Sequence, residues 1–142
     1  MTGKKITICG SMKFLEHMKE WKEKLEKQGH IVFAPTSNDF HKVRDEDDNL
    51  EKFEEIKRTE TKNHFQKVEQ ANVILIMNYD KNGKKNYIGG NTFAEIAYAI
   101  ALNYCHGKKI EIYTVNPLPE DSSFYEELHA WNVRQWNEKL EK

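Results

Sequence analysis

The chain has 142 residues, with 22 Lys+Arg against 23 Asp+Glu and a formal net charge of -1. That length suits one domain with its own core, and the interspersed charges argue against polymeric nucleic acid or a membrane and for a small-molecule partner. Cys9 and Cys105, the only cysteines, make neither a disulfide framework nor a zinc pattern, and the polar Lys4-Lys5 pair resembles no signal peptide or membrane span, so a reduced, cytoplasmic protein is expected.

The first apolar run, Lys5-Ile6-Thr7-Ile8-Cys9, is β-prone and closes on Gly10-Ser11. From Met12 the period becomes helical, with Phe14, Leu15, Met18, Trp21 and Leu25 on one face, and Gly29 is suited to a left-handed helix end. His30-Ile31-Val32-Phe33-Ala34 reads as a second strand stopped by Pro35. Residues 35 to 49 lack a period and carry turn formers and charge, which predicts a long surface loop of the kind that often forms a lid. Asp39, His41 and Asp45 fall in it at a spacing that fits no common metal site.

Residues 50 to 70 read as a helix through Leu50, Phe53, Ile56, His64, Phe65 and Val68. Val73-Ile74-Leu75-Ile76-Met77 is the most continuous apolar run, as expected of a central parallel strand covered on both faces. A polar loop, residues 78 to 86, leads to Tyr87-Ile88-Gly89-Gly90 and a helix over residues 91 to 104 that is apolar on nearly every face except at Glu95. A fourth strand spans residues 109 to 115. Residues 123 to 140 form a predicted last helix, whose Trp131 and Trp136 pack against the sheet or a partner subunit. The alternation defines an α/β single domain over residues 1–142, a doubly wound, flavodoxin- or Rossmann-like parallel sheet of four to five strands in the order 2-1-3-4. Ligands of such sheets bind beyond the strand carboxyl ends where the order reverses, here between strands 1 and 3.

Gly10-Ser11-Met12-Lys13 sits at such a strand-to-helix turn, where free backbone N–H groups favour an anion such as phosphate; an ordinary turn with an N-cap serine is the alternative. Glu95 also has two readings. Thr92-Phe93-Ala94-Glu95 matches a capping box, whereas Gly89-Gly90 opens the backbone to a ligand and a first-turn carboxylate, kept ionised by the helix dipole, is a plausible nucleophile. Asn78 and Asp80 suit sugar hydroxyls or a plain turn, and Tyr79, Tyr87 and Tyr98 suit a stacked base or the core.

Three segments carry a family resemblance: Ile8-Cys9-Gly10-Ser11-Met12, Glu69-Gln70-Ala71-Asn72-Val73-Ile74, and Gly90-Asn91-Thr92-Phe93-Ala94-Glu95-Ile96-Ala97-Tyr98-Ala99. Together they resemble the nucleoside 2-deoxyribosyltransferase superfamily, which includes the 2'-deoxynucleoside 5'-monophosphate N-glycosidases. The resemblance implies that Glu95 attacks the anomeric carbon to form a covalent glycosyl-enzyme, later released by water or a second base. It also implies that Gly10, Ser11, Met12 and Lys13 line the sugar or 5'-phosphate end, and favours a homodimer or larger assembly; Cys9, Asn78, Gly89, Gly90 and Asn91 are further candidates for the substrate site. Two positions depart from the family. His64, beside Asn63, stands where relatives usually have an aspartate, and Gly89 stands where they have an aspartate or serine. His64 could protonate the leaving base or hold Glu95, or be a histidine satisfied at a helix edge.

The expected function is cleavage of the N-glycosidic bond of a nucleoside or nucleoside 5'-monophosphate, by hydrolysis or base exchange, with no cofactor and no metal. One rival is a non-catalytic nucleotide-binding module on the same fold, with Glu95 turned into its cap. The other is a flavin protein, against which stands the lack of a Ser/Thr/Gly run in the first loop.

Overall fold

Alternation in the short apolar runs sets the two faces of the sheet. In β1 (Lys5–Gly10), Ile6 and Ile8 point to one face, and Thr7 and Cys9 to the other, as a side-chain period of two requires. The computed structural model describes residues 3–35 and 50–137. After β1 come a 3-10 turn (Met12–Phe14), α1 (Leu15–Lys27), β2 (Ile31–Phe33), α2 (Leu50–Gln70), β3 (Val73–Met77), α3 (Gly90–His106), β4 (Glu111–Thr114), α4 (Tyr125–Ala130) and β5 (Arg134–Gln135).

The five strands are all parallel and run in the order β2-β1-β3-β4-β5, the flavodoxin-like arrangement. β3 lies at the centre with every residue buried. On one face Ile6, Ile8, Val73, Leu75 and Met77 pack with Met18 and Leu25 of α1. On the other, Cys9, Ile74, Ile76 and Ile112 pack with Val68 of α2 and Ile96, Ala99 and Ile100 of α3. Gly10 ends β1 where a Cβ would lie 2.9 Å from Met77 Cβ, so the two central strands meet at their carboxyl ends only because that residue has no side chain.

The carboxyl-terminal region departs from the sequence expectation. The predicted helix over residues 123 to 140 is only the six-residue α4, followed by a turn and the edge strand β5. Asn132, with φ 62, takes the left-handed conformation that ends a helix, and Val133 donates its N–H to the Leu128 carbonyl. β5 then occupies hydrogen-bonding groups on the free edge of β4, and Trp136 N–H donates to Thr114 O at 2.7 Å. Leu128, Val133 and Trp136 are all buried, so spacings that fit a helix are satisfied by a helix, a turn and a strand end. Trp131 stacks on Phe93 and Trp136 packs edge-on against Tyr113. The predicted loop with Asp39, His41 and Asp45 lies, apart from Pro35, outside the described residues. Among those described, no helix is long and apolar enough to cross a membrane.

Candidate active site

One side chain from each of β1, α2 and α3 meets at a single buried point. Thr7 Oγ1 donates to the Lys67 carbonyl at 2.9 Å, which fixes α2 across the face that carries Cys9. His64, about one turn earlier on α2, then reaches Cys9, with Nε2 3.4 Å from Sγ. The same Nε2 lies 3.3 Å from Glu95 Oε2. Glu95 Oε1 accepts from Asn91 Nδ2 at 3.5 Å, whereas the buried Oε2 takes part in no hydrogen bond; its approach to His64 is close but poorly aligned. Cys9 is fully buried and Glu95 is 4% exposed. Phe33 packs edge-on against the His64 ring.

Burial dominates the electrostatics of this cluster. It pushes the Glu95 carboxyl up from 4.5 to about 7, an effect partly offset by a hydrogen bond from the Cys9 thiol. It lowers His64 from 6.5 to about 4. The Cys9 thiol is raised well above its usual range, first by burial and then by the neighbouring carboxylate. The close His64–Glu95 approach alone would favour an imidazolium–carboxylate pair, but desolvation penalises both charged forms and wins here. Near neutral pH the cluster is therefore a neutral imidazole, a thiol and a carboxyl group poised between its two states. The helix dipole does not keep Glu95 ionised, contrary to the sequence expectation. The thiol, imidazole and carboxyl donor atoms all lie within 4.8 Å of one another, a set that a metal ion can also use.

The capping box expected around Glu95 is absent. Helix α3 begins at Gly90 with Gly89 as its N-cap, no side chain makes a cap hydrogen bond, and Phe93 N–H donates to Gly89 O. Counted from Gly90, Thr92 is the third helical residue and Glu95 the sixth, too far along for its carboxylate to fold back onto the first N–H groups. The two glycines allow the earlier start. A Cβ on Gly89 would lie 2.8 Å from the Tyr87 hydroxyl, so the space in front of this residue is bordered by a phenol.

Beside the cluster is a cavity of 290 Å³ lined by Gly10, Ser11, Met12, Phe53, Lys57, Lys81, Tyr87, Gly89, Gly90, Asn91 and Thr92. It sits at the reversal of strand order, where the loops after β1 and β3 approach: Lys81 Nζ donates to Ser11 Oγ at 3.1 Å. Two larger depressions, of 740 and 570 Å³, lie along residues 79–90 and 116–124; neither is lined by Cys9, His64 or Glu95, and the smaller cavity is the one whose wall touches the cluster, through Asn91.

Of the residues expected at the substrate, Gly10, Ser11, Met12, Gly89, Gly90 and Asn91 line this cavity. Lys13 is exposed and does not line it. Cys9 lies in the core, with the polar cluster rather than on the cavity wall. Asn78 is wholly buried and its carboxamide is bound to the backbone of Asn116 and Pro117, which ties the end of β3 to the loop after β4. Tyr79 stacks on His17 and accepts from Trp21 Nε1, and Tyr98 stacks on Phe65. Tyr87, which the sequence offered for a stacked base or the core, also lines the cavity, whereas sequence reading missed Phe53, Lys57, Lys81 and Thr92 as lining residues. A signal for two of them was present, because residues 53, 57 and 64 are spaced by four and seven and share one stripe of α2.

No protein-family profile matches the chain, and no curated protein matches it. Among solved structures, the chain is similar to a 2-desoxiribosyltransferase from Leishmania mexicana, with 14% identity and a TM-score of 0.48, over 81% of this chain and 68% of that one.

Proposed function

We propose that the chain cleaves the N-glycosidic bond of a nucleoside or nucleoside 5'-monophosphate, as a member of the nucleoside 2-deoxyribosyltransferase superfamily, with Glu95 as nucleophile. The observation that carries this reading is the buried Glu95 carboxyl group, whose Oε2 makes no well-aligned hydrogen bond and whose Oε1 is held by Asn91, a residue on the wall of the cavity at the strand-order reversal. A buried acceptor is normally paired, so an orphaned one calls for a role. The motif resemblance around Glu95 and the absence of a cap both favour a reacting carboxylate over a purely structural one.

In the proposed reaction the carboxyl proton of Glu95 passes to His64 Nε2 across 3.3 Å. Glu95 Oε2 bonds to the anomeric carbon as the glycosidic C–N bond breaks and its electron pair leaves with the base. His64 returns the proton to the base nitrogen. Water or a second base then attacks the anomeric carbon as the glycosyl–Glu95 bond breaks, gives its proton through His64 back to the freed Glu95 carboxylate, and leaves the sugar with net retention. The carboxyl is near its midpoint and the neutral imidazole has a free lone pair; its low basicity means that it holds the proton only briefly and passes it on to the base nitrogen. Lys57 and Lys81, beside Ser11, supply positive charge for a 5'-phosphate, which favours a monophosphate over a free nucleoside.

The test is incubation with a panel of deoxynucleosides and their 5'-monophosphates, with free base followed by chromatography. Base release by wild type that is lost in Glu95→Ala is expected; equal turnover by the two would end the proposal. Ligand binding with no base release from any substrate would favour a nucleotide-binding module instead.

A further inference from the structure

We propose that Cys9 Sγ, His64 Nε2 and Glu95 Oε2 form a binding site for one zinc-like divalent ion. Metal–ligand lengths of about 2.3 Å to sulfur and about 2.0–2.2 Å to nitrogen or oxygen, arranged tetrahedrally, put neighbouring donors about 3.3–3.6 Å apart. Two edges of the cluster are 3.4 Å from Sγ to Nε2 and 3.3 Å from Nε2 to Oε2. The remaining separation falls within 4.8 Å.

The donors come from three regular elements, a strand and two helices, so their spacing is set by the packed core rather than by a loop. Glu95 Oε2 supplies the independent sign of a missing ligand: it is buried, makes no well-aligned hydrogen bond and yet lies within reach of the other two donors. Thiolate and imidazole with a single carboxylate select a borderline-soft ion such as Zn²⁺ over Mg²⁺ or Ca²⁺, which take oxygen donors. Three protein ligands leave a fourth position for water or an exogenous ligand. Binding releases the Cys9 thiol proton, and the Glu95 proton where it is present, while the metal joins an imidazole whose Nε2 carries no hydrogen.

The site itself stands apart from the glycosidic reading. One consequence rests on that reading: a metal on Oε2 occupies the nucleophile, so the metal-loaded protein is the inactive one.

The full chain, stripped with chelator and dialysed, is titrated with Zn²⁺ against a chromophoric chelator and, separately, with Co²⁺ followed by absorption. One Zn²⁺ per chain and a thiolate-to-cobalt band in the near ultraviolet are expected. Cys9→Ser should remove the band and weaken Zn²⁺ at least about 100-fold, beyond the usual loss for an outer-shell partner. Cys105→Ser should change neither. If Cys9→Ser does not fold, His64→Ala should show the same weakening of Zn²⁺. No uptake by wild type, or a band and affinity that survive these changes, would overturn the site. The readout uses no nucleoside. A protein that binds zinc yet, once stripped of it, cleaves nothing refutes only the glycosidic reading, and one that cleaves but ignores zinc refutes only the metal site.

Discussion

Asn78 at the carboxyl side of β3 and Glu95 on α3 are both buried polar residues, yet their surroundings differ in kind. The Asn78 carboxamide donates to the Asn116 and Pro117 carbonyls at 3.0 and 2.9 Å and accepts from Asn116 N–H at 2.9 Å, and its own carbonyl accepts from Asn116 Nδ2. Glu95 has one long contact to Asn91, and its Oε2, though close to the His64 ring and the Cys9 thiol, makes no well-aligned hydrogen bond. A polar group kept for structure is satisfied, because each missing bond costs about 1–3 kcal/mol. Tolerating that cost at Glu95 makes sense only where another atom is meant to arrive.

The comparison is broken most severely at Glu95. Glu95→Gln keeps the shape and one donor-acceptor pattern but removes the proposed attacking carboxylate, so base release should fall at least about 10³-fold. Chromatographic assay of free base checks the loss, and thermal unfolding at pH 8 checks that the variant is no less stable than wild type. A large loss of stability there would mean that Glu95 is structural after all. Asn78→Ala should behave in the opposite way. It strands the Asn116 N–H and two carbonyls, so urea unfolding should show a loss of about 3–4 kcal/mol. A change below about 0.5 kcal/mol would show that the Asn78 knot is not what holds the ends of β3 and β4 together.

A third contrast is in pH, measured with chelator present. Glu95 has a folded value of about 7 above its ordinary 4.5. The folded state therefore holds the proton more tightly, and this stability is fully present below pH 4.5 and lost as pH rises through about 7. His64, lowered from 6.5 to about 4, has the reverse sign, with stability present above pH 6.5 and lost as pH falls towards 4. In wild type the two slopes oppose each other between those values. Comparing Glu95→Gln with wild type isolates the carboxyl: the variant should gain about 2–3 kcal/mol relative to wild type between pH 5 and pH 8. A difference that does not change with pH would mean that Glu95 is ionised throughout.

Much of this fold is legible in the residues because burial leaves periodic marks. The β3 run and the stripes of α1 and α2 could hardly read otherwise, and the order of β1 to β4 follows from their alternation with helices. β5 is not legible: two exposed residues, Arg134 and Gln135, carry no strand signal, and their pairing is decided by the open edge of β4. At the site, Glu95 stands out as one acid in an apolar helix. Its start-of-helix environment does not, because whether Gly90 or Thr92 begins α3 depends on backbone freedom rather than on side-chain pattern. The approach of Cys9 to His64 depends on how α2 crosses the sheet, which periodicity does not encode. Lys57 and Lys81 look like ordinary solvated lysines until the fold brings them to one wall.

Those two lysines give the smallest and most discriminating effect. Lys81 Nζ is held 3.1 Å from Ser11 Oγ and lies over the Tyr87 ring, 4.9 Å from its centroid, so it is positioned at the cavity rather than free to sweep solvent. Its contacts are with Ser11 and Tyr87 on the cavity wall, so under the proposed function its charge serves binding more than bond cleavage. Lys81→Ala should raise KM for a nucleoside 5'-monophosphate about 10-fold, with kcat changed little, and leave KM for the free nucleoside nearly unaltered, as expected when a uniform binding contact is removed. Equal effects on both substrates would place the phosphate elsewhere. A fall in kcat alone would instead assign Lys81 to the reacting end of the cavity and redraw the boundary between its binding wall and the buried cluster behind it.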